Sequence, residues 1–301
     1  MAADTYASLS DLRVAAYLNA ELFTLLHEKG DLRGTMMEVP FNPSLGSAAV
    51  KLGLYQPQDA FSAAGEDTAP STVNITDASA TLTVAKYSLV RELTDLAQLT
   101  GGPDLDKLAA DMANSASYCL SGLLTAGFTN LATNVGTSGV NLSVDDVYSA
   151  QYALQLSLVD GPFYMVLAPI QWNDFQASLR GEVGAIQFVP ATAEALSIKG
   201  SSFKGMWNGI EIYTHNSVAT SGGNRIGAMY GKGAYAYTEA PVDRLTPFMG
   251  MSKSPAGSKM VVEIVRGSVG ATKGKTFCVG NYYPAVAEVE DLRGVKITTD
   301  A

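Results

Sequence analysis

The sequence predicts an α+β fold, because helical and strand-like patterning dominate different stretches of the chain. Three observations carry this reading. An apolar stripe with a helical period runs from Pro103 to about Thr129. A helix–strand–helix order follows between Ser143 and Leu179, which implies an α/β unit at that point. Beyond Pro241 the chain turns β-rich, with short runs at Met260 to Val265, Thr276 to Val279, Ala285 to Val289 and Val295 to Thr298.

The elements follow in chain order. Leu9, Leu12, Ala16, Phe23 and Leu26 sit near helical spacing and predict an amphipathic helix from Leu9 to His27. Lys29-Gly30 is its stop, with glycine at the left-handed cap. A strand-like piece, Thr35 to Phe41, ends before Pro43. Residues 52–85 hold no Lys or Arg but contain Asp59, Glu66, Asp67 and Asp77. Val, Ile and Leu alternate with polar residues from Thr72 to Val84, a period-two signal. So long a stretch without helical pattern is unusual inside a compact domain, and a projecting β-hairpin accounts for it.

Tyr87 to Leu99 is apolar again and ends at Gly101-Gly102-Pro103. Pro103 suits the first helical position, and Asp104 and Asp106 favour the helix's positive end. Leu105, Leu108, Met112, Ala116, Cys119, Leu123 and Gly127 form the predicted stripe. Asn130 to Asn141 is a polar break. Ser143-Val-Asp-Asp reads as a capping box opening a helix that runs to about Leu158. Phe163 to Ala168 is a buried strand closed by Pro169, and Trp172, Phe175 and Leu179 mark a further helix. Ile210 to Tyr213 and Ile226 to Tyr237 add strand-like stretches.

Charged residues make up 16% of the 301 residues, against roughly 25% in an ordinary soluble domain. Such depletion fits a surface buried against other copies. The balance of 29 acidic to 20 basic residues, net −9, argues against strong direct DNA binding, which needs a basic footprint. It does not prevent enclosing DNA. Cys119 and Cys278 are far apart in sequence and form no CxxC, so a reducing compartment such as the cytoplasm is expected. Neither a membrane span nor a signal peptide is evident.

Tests for chemistry fail. Gly274-Lys275-Thr276 lacks the upstream glycine and the following helix of a phosphate loop. Gly231 to Ala236 lacks the helix start of a dinucleotide fingerprint. His215 lies in His215-Asn216-Ser217, which reads as a surface loop, and no serine sits in a nucleophile elbow. Cys119 reads as a packed hydrophobe, and Trp172 and Trp207 as core or interface anchors. No catalytic, cofactor-binding or metal-ligating residue is assigned, and no cofactor is expected.

The order of segments resembles the major capsid proteins of tailed bacteriophages, with the Hong Kong 97-type fold, which encapsulin nanocompartments share. The resemblance covers about Met36 to Thr298. It rests on the 50–85 hairpin (the E-loop), Arg91-Glu-Leu-Thr-Asp-Leu96, the spine helix from Pro103, Gly161-Pro-Phe-Tyr-Met-Val-Leu-Ala-Pro169 and Gly205-Met-Trp-Asn-Gly-Ile-Glu-Ile212. It implies an N-terminal arm (1–35), a peripheral domain beginning at 36–49, the hairpin (50–85), more peripheral domain with the spine helix (86–130), an axial domain (131–241) and peripheral return strands (242–301). It further implies a non-enzymatic subunit of an icosahedral virion shell, made in the host bacterial cytoplasm. The shell consists of pentamers and hexamers of this chain around double-stranded DNA. A separate scaffolding protein, a portal and decoration proteins are the implied partners; no membrane is. The rival readings are an encapsulin shell and a soluble α+β hydrolase. Some relatives crosslink a hairpin lysine to a neighbour; here only Lys51 stands at the hairpin root, so contact is expected to be non-covalent.

Charge suggests how. Against the acidic hairpin, residues 244–275 carry Arg244, Lys253, Lys259, Arg266, Lys273 and Lys275 with Glu263 as the one acid. The hairpin of one subunit is expected to lie on the basic region of its neighbour. Gly101, Gly102, Gly136 and Gly139 are candidate hinges for fitting one subunit into rings of five and six.

Overall fold

The longest helix, α1 (Leu105–Gly127), follows from the stripe read in the sequence. Ala109, Met112, Ala113, Ala116, Leu120 and Leu124 are buried along it. The predicted stripe was slightly out of phase: Leu120 and Leu124 face the core, whereas Cys119 and Leu123 are half-buried at its edge. The helix is covered over a broad arc, which also buries Ser117, Ser121 and Thr125, so hydrophobicity alone misplaces the centre.

In this computed structural model the described residues are 32–42, 47–55, 77–94, 105–181, 188–242, 258–266 and 275–300. The expected helix from Leu9 to His27 and the hinge candidates Gly101 and Gly102 lie outside them.

The strands are β1 (Met37–Glu38), β2 (Ala49–Tyr55), β3 (Asp77–Thr83), β4 (Tyr87–Thr94), β5 (Asn134–Val135), β6 (Phe163–Leu167), β7 (Phe188–Pro190), β8 (Phe203–Trp207), β9 (Ile210–Thr214), β10 (Thr220–Ser221), β11 (Asn224–Gly231), β12 (Tyr235–Glu239), β13 (Met260–Arg266), β14 (Lys275–Tyr282), β15 (Pro284–Glu288) and β16 (Gly294–Asp300). The other helices are α2 (Val144–Leu156), α3 (Pro169–Gly181) and α4 (Ala193–Lys199).

The main sheet runs β5-β16-β11-β6-β9-β8-β7, with β10 paired to β11 off that path. Alternate residues feed two cores. Tyr164, Val166, Tyr213, Ala228 and Tyr230 join α1 in one. Met165, Leu167, Ile210, Ile212 and Met229 face α2 and α3 in the other. All five β6 residues are buried, as a central strand requires. Pro169 ends that strand and also opens α3, where its missing N–H costs nothing. The capping box of α2 is present: Ser143 Oγ accepts from Asp146 N at 3.2 Å, and Asp146 accepts from Ser143 N at 3.0 Å.

Two smaller sheets flank α1. The order β13-β14-β4 packs Val262, Ile264 and Cys278 against Met112. The order β1-β12-β15 begins with a short parallel pair. Here the strand expected over Thr35 to Phe41 shrinks to β1, because Arg33–Thr35 forms a 3-10 turn. The stretch Ile226 to Tyr237 breaks at Gly233, whose φ is +96°. Its halves, β11 and β12, therefore enter different sheets. The last strand, β16, pairs with β11 and β5 inside the main sheet.

Gln171 locks that arrangement. It is fully buried, and its amide N–H groups reach Thr299 Oγ1 at 2.8 Å and the carbonyls of Arg225 and Ile297 at 3.2 Å. Its Oε1 accepts from Ala168 N at 3.0 Å.

Candidate assembly surfaces

The root of the hairpin is a regular ladder, β2 antiparallel to β3, from Ala49↔Thr83 to Tyr55↔Asp77. Leu82 is buried and packs with Val39, Ala236 and Ala285, while Val50 and Leu52 cover the same cluster. The root is thereby fixed to the β1-β12-β15 sheet. Of the acidic candidates, Asp77 begins β3, whereas Asp59, Glu66 and Asp67 lie outside the described residues.

Among the basic candidates, Lys275 opens β14 and pairs with Glu92 at 2.6 Å. Lys259 reaches the carbonyl of Glu239 at 3.4 Å. Arg266 ends β13, and Arg244, Lys253 and Lys273 lie outside the described residues. Lys259 and Lys275 thus make contacts within their own subunit.

Lys259 belongs to a polar node that sequence reading missed. Arg33 Nη2 donates to Glu239 Oε1 at 2.8 Å and to Tyr282 OH at 3.3 Å, and the Tyr282 hydroxyl donates to the same carboxylate. Glu239 is 6% exposed. Burial, then Glu239, pushes the Tyr282 phenol well above its ordinary value. Burial works against the charge on Arg33, but Glu239 and Tyr282 outweigh it and raise its pKa. Partners more than 200 positions apart leave no local signal.

Gly136 and Gly139 both adopt positive φ, +86° and +74°. A Cβ on Gly136 would meet the Thr298 carbonyl at 2.5 Å, whereas Gly139 has open space. Glycine is needed at the first for approach as well as for conformation.

The expectation that His215 is a surface residue is wrong. It is 6% exposed, its ring lies 5.0 Å from that of Tyr118 on α1, and its Nδ1 contacts Ser217 Oγ and accepts from Ser217 N at 3.2 Å. Thr125 Oγ1 in turn donates to the Ser217 carbonyl at 3.0 Å. His215 alone of the tripeptide is buried, because its polar atoms find partners, while Asn216 is exposed and Ser217 half-buried. Trp207 is fully buried, and Trp172 is half-buried against Phe175 and Phe188.

Among the described residues no three His, Cys, Asp or Glu side chains gather as a metal site, and no helix is long and apolar enough to cross a membrane. A shallow depression between α3 and β7, lined by Trp172, Gln176, Leu179, Arg180 and Phe188, gathers no acid–base pair. Large apolar side chains do reach the surface, among them Tyr152, Leu156 and Leu158 around α2 and Val189, Ile198 and Met206 around β7 and α4.

No family model and no curated protein matches the sequence. Solved structures do match. The capsid of Ralstonia phage GP4 aligns with a TM-score of 0.60 at 10% identity, over 91% of this chain and 92% of that one. The head of Helicobacter pylori bacteriophage KHP40 gives 0.60 at 8% identity, over 91% of each chain. The holo-SrpI encapsulin of Synechococcus elongatus PCC 7942 gives 0.58 at 15% identity, over 89% of this chain and 87% of that one. The likeness is one of fold and spans about nine-tenths of this chain. The α+β chain has the Hong Kong 97-type capsid fold.

Proposed function

We propose that this protein is the major capsid subunit of a tailed phage, a structural protein that assembles with copies of itself into an icosahedral shell around double-stranded DNA. The observation that carries the reading is the fold, which aligns over about nine-tenths of both chains with phage capsid and head proteins. Low charge content and surface apolar side chains support self-association. The mildly acidic chain suits a container that must not trap its polyanionic contents.

In this reading residues 131–241 form the axial domain and those on either side the peripheral one, except that β16 joins the main sheet beside β11 and β5 and β12 joins the β1-β12-β15 sheet. The acidic hairpin lies on the basic 244–275 region of a neighbour, and Gly101, Gly102, Gly136 and Gly139 serve as joints. Exposed ion pairs contribute only about 0–1 kcal/mol each, so this pairing sets register more than affinity. Scaffolding, portal and decoration proteins complete the particle, which forms in the host cytoplasm.

Electron microscopy of the purified chain under assembly conditions tests this: closed shells are expected, and small particles alone under every condition refute it. Glu66→Lys with Asp67→Lys is expected to impair assembly while the subunit stays folded; normal shells from that variant sink the hairpin contact. The encapsulin alternative has the SrpI structure in its favour. Co-purifying DNA and portal support the phage reading, and a bound cargo enzyme supports the alternative.

A further inference from the structure

We propose that neighbouring subunits join head-to-tail through two apolar patches on opposite faces of the main sheet: the outer stripe of α2 on one copy and the β7–β8–α4 edge of the next. This rests on the shell reading and names a contact which that reading leaves open.

The first patch begins with what α2 lacks. Val144, Val147, Ala150 and Leu154 point into the second core. The outward positions bear Tyr152, 66% exposed, and Leu156, 71% exposed. From Val147 to Val159 there is no charged residue. A solvated helix face ordinarily carries charge. Tyrosine enrichment with charge depletion is the composition of an interface centre.

Leu158, just past the helix, is a second and independent observation. Its φ is +55°, where glycine or asparagine is favoured, yet its side chain is 86% exposed. Nothing within the described subunit uses a leucine there. A neighbour's apolar surface does.

The second patch comes from strand alternation. Trp207 fills the α2–α3 core, so Met206 points to the α1 side, together with its register partner Glu211. Val189 pairs with Met206 across β7 and β8 and is 60% exposed. Helix α4 lies on this same side, its Ala195 packed against the α1 core and its Ile198 76% exposed. Of the cations on these elements, Lys199 is neutralised by Glu211 at 2.6 Å and lies over the Phe203 ring, and Lys204 reaches the Ser201 carbonyl at 3.3 Å. The edge therefore presents a mainly neutral surface of matching chemistry.

Because the patches lie on opposite faces, they cannot meet within one subunit. Contact between them is heterologous, the type that closes into rings when the rotation permits. Two α2 stripes packed on each other would instead stop at a dimer.

Cysteine pairs distinguish these arrangements. In a Cys119→Ser background, with Cys278 left buried at 2% exposure, Tyr152→Cys plus Ile198→Cys is treated with a flexible bis-maleimide during assembly. A ladder of covalent oligomers is expected from the double variant, with neither single variant crosslinking. Dimers from Tyr152→Cys alone overturn the head-to-tail contact. An absent ladder in particles that microscopy shows as closed shells overturns it while leaving the shell reading intact. If the unmodified chain forms no shells under any condition, the shell reading falls and this contact with it. Leu156→Glu is expected to abolish assembly with the subunit's unfolding transition unchanged, and normal assembly of that variant also overturns the proposal.

Discussion

Two ion pairs in this chain look alike on paper and differ in consequence. Arg33–Glu239 is 15% and 6% exposed, whereas Arg91–Asp111, at 2.7 Å, is 44% and 45% exposed. Removing one partner of a buried pair strands a charge and costs about 3–5 kcal/mol, while an exposed pair is worth about 0–1 kcal/mol. Arg33→Met is therefore expected to shift the denaturant midpoint strongly at unchanged slope, and Arg91→Ala hardly at all. Gln171→Leu belongs with the first: it leaves the Ala168 amide and the Ile297 carbonyl without their side-chain partner, a loss of about 1–3 kcal/mol per unsatisfied group. Equilibrium unfolding checks all three. None of these roles was legible in the sequence. Arg33, Gln171 and His215 are polar residues whose burial is decided by groups far along the chain, Glu239, Thr299 and Tyr118 respectively.

At the scale of elements the sequence was far more informative, because caps and periodicity are local. Ser143 and Asp146 announced the start of α2, and Phe163 to Leu167 announced a central strand. Ser143→Ala is expected to cost about 1 kcal/mol, measurable as a lowered thermal midpoint. Legibility failed where tertiary covering sets the answer. The α1 stripe was out of phase because serines and a threonine are buried beside the leucines. The break between β11 and β12 was missed because Ala234, Tyr235 and Ala236 continue an apolar run through a turn that Gly233 makes. The exposed stripe of α2 left a trace, the charge-free run from Val147 to Val159, which reads at first as ordinary helix composition.

The whole molecule is rich in buried phenols. Burial first, then Glu38, pushes Tyr237 up to about 12. Tyr213, Tyr230, Tyr235 and Tyr282 are raised further, with burial the largest cause in each. A raised folded-state value means that the folded chain holds protons which the unfolded chain releases. Stability is thus fully present below about pH 10, the ordinary phenol value, and is lost as the pH climbs above it. Alkaline titration is expected to show phenolate absorbance from these residues rising together with unfolding; phenolate appearing in a chain that circular dichroism shows still folded contradicts this. The order of strands in the main sheet also has a consequence for synthesis. Strand β11 ends at Gly231, and its partner β16 begins at Gly294, with β12 to β15 between them. On a ribosome adding about 5–20 residues per second, β11 waits several seconds with one edge unpaired. During that interval the nascent chain displays a strand edge open to mispairing, the kind of site a holding chaperone protects, and the main sheet is still incomplete.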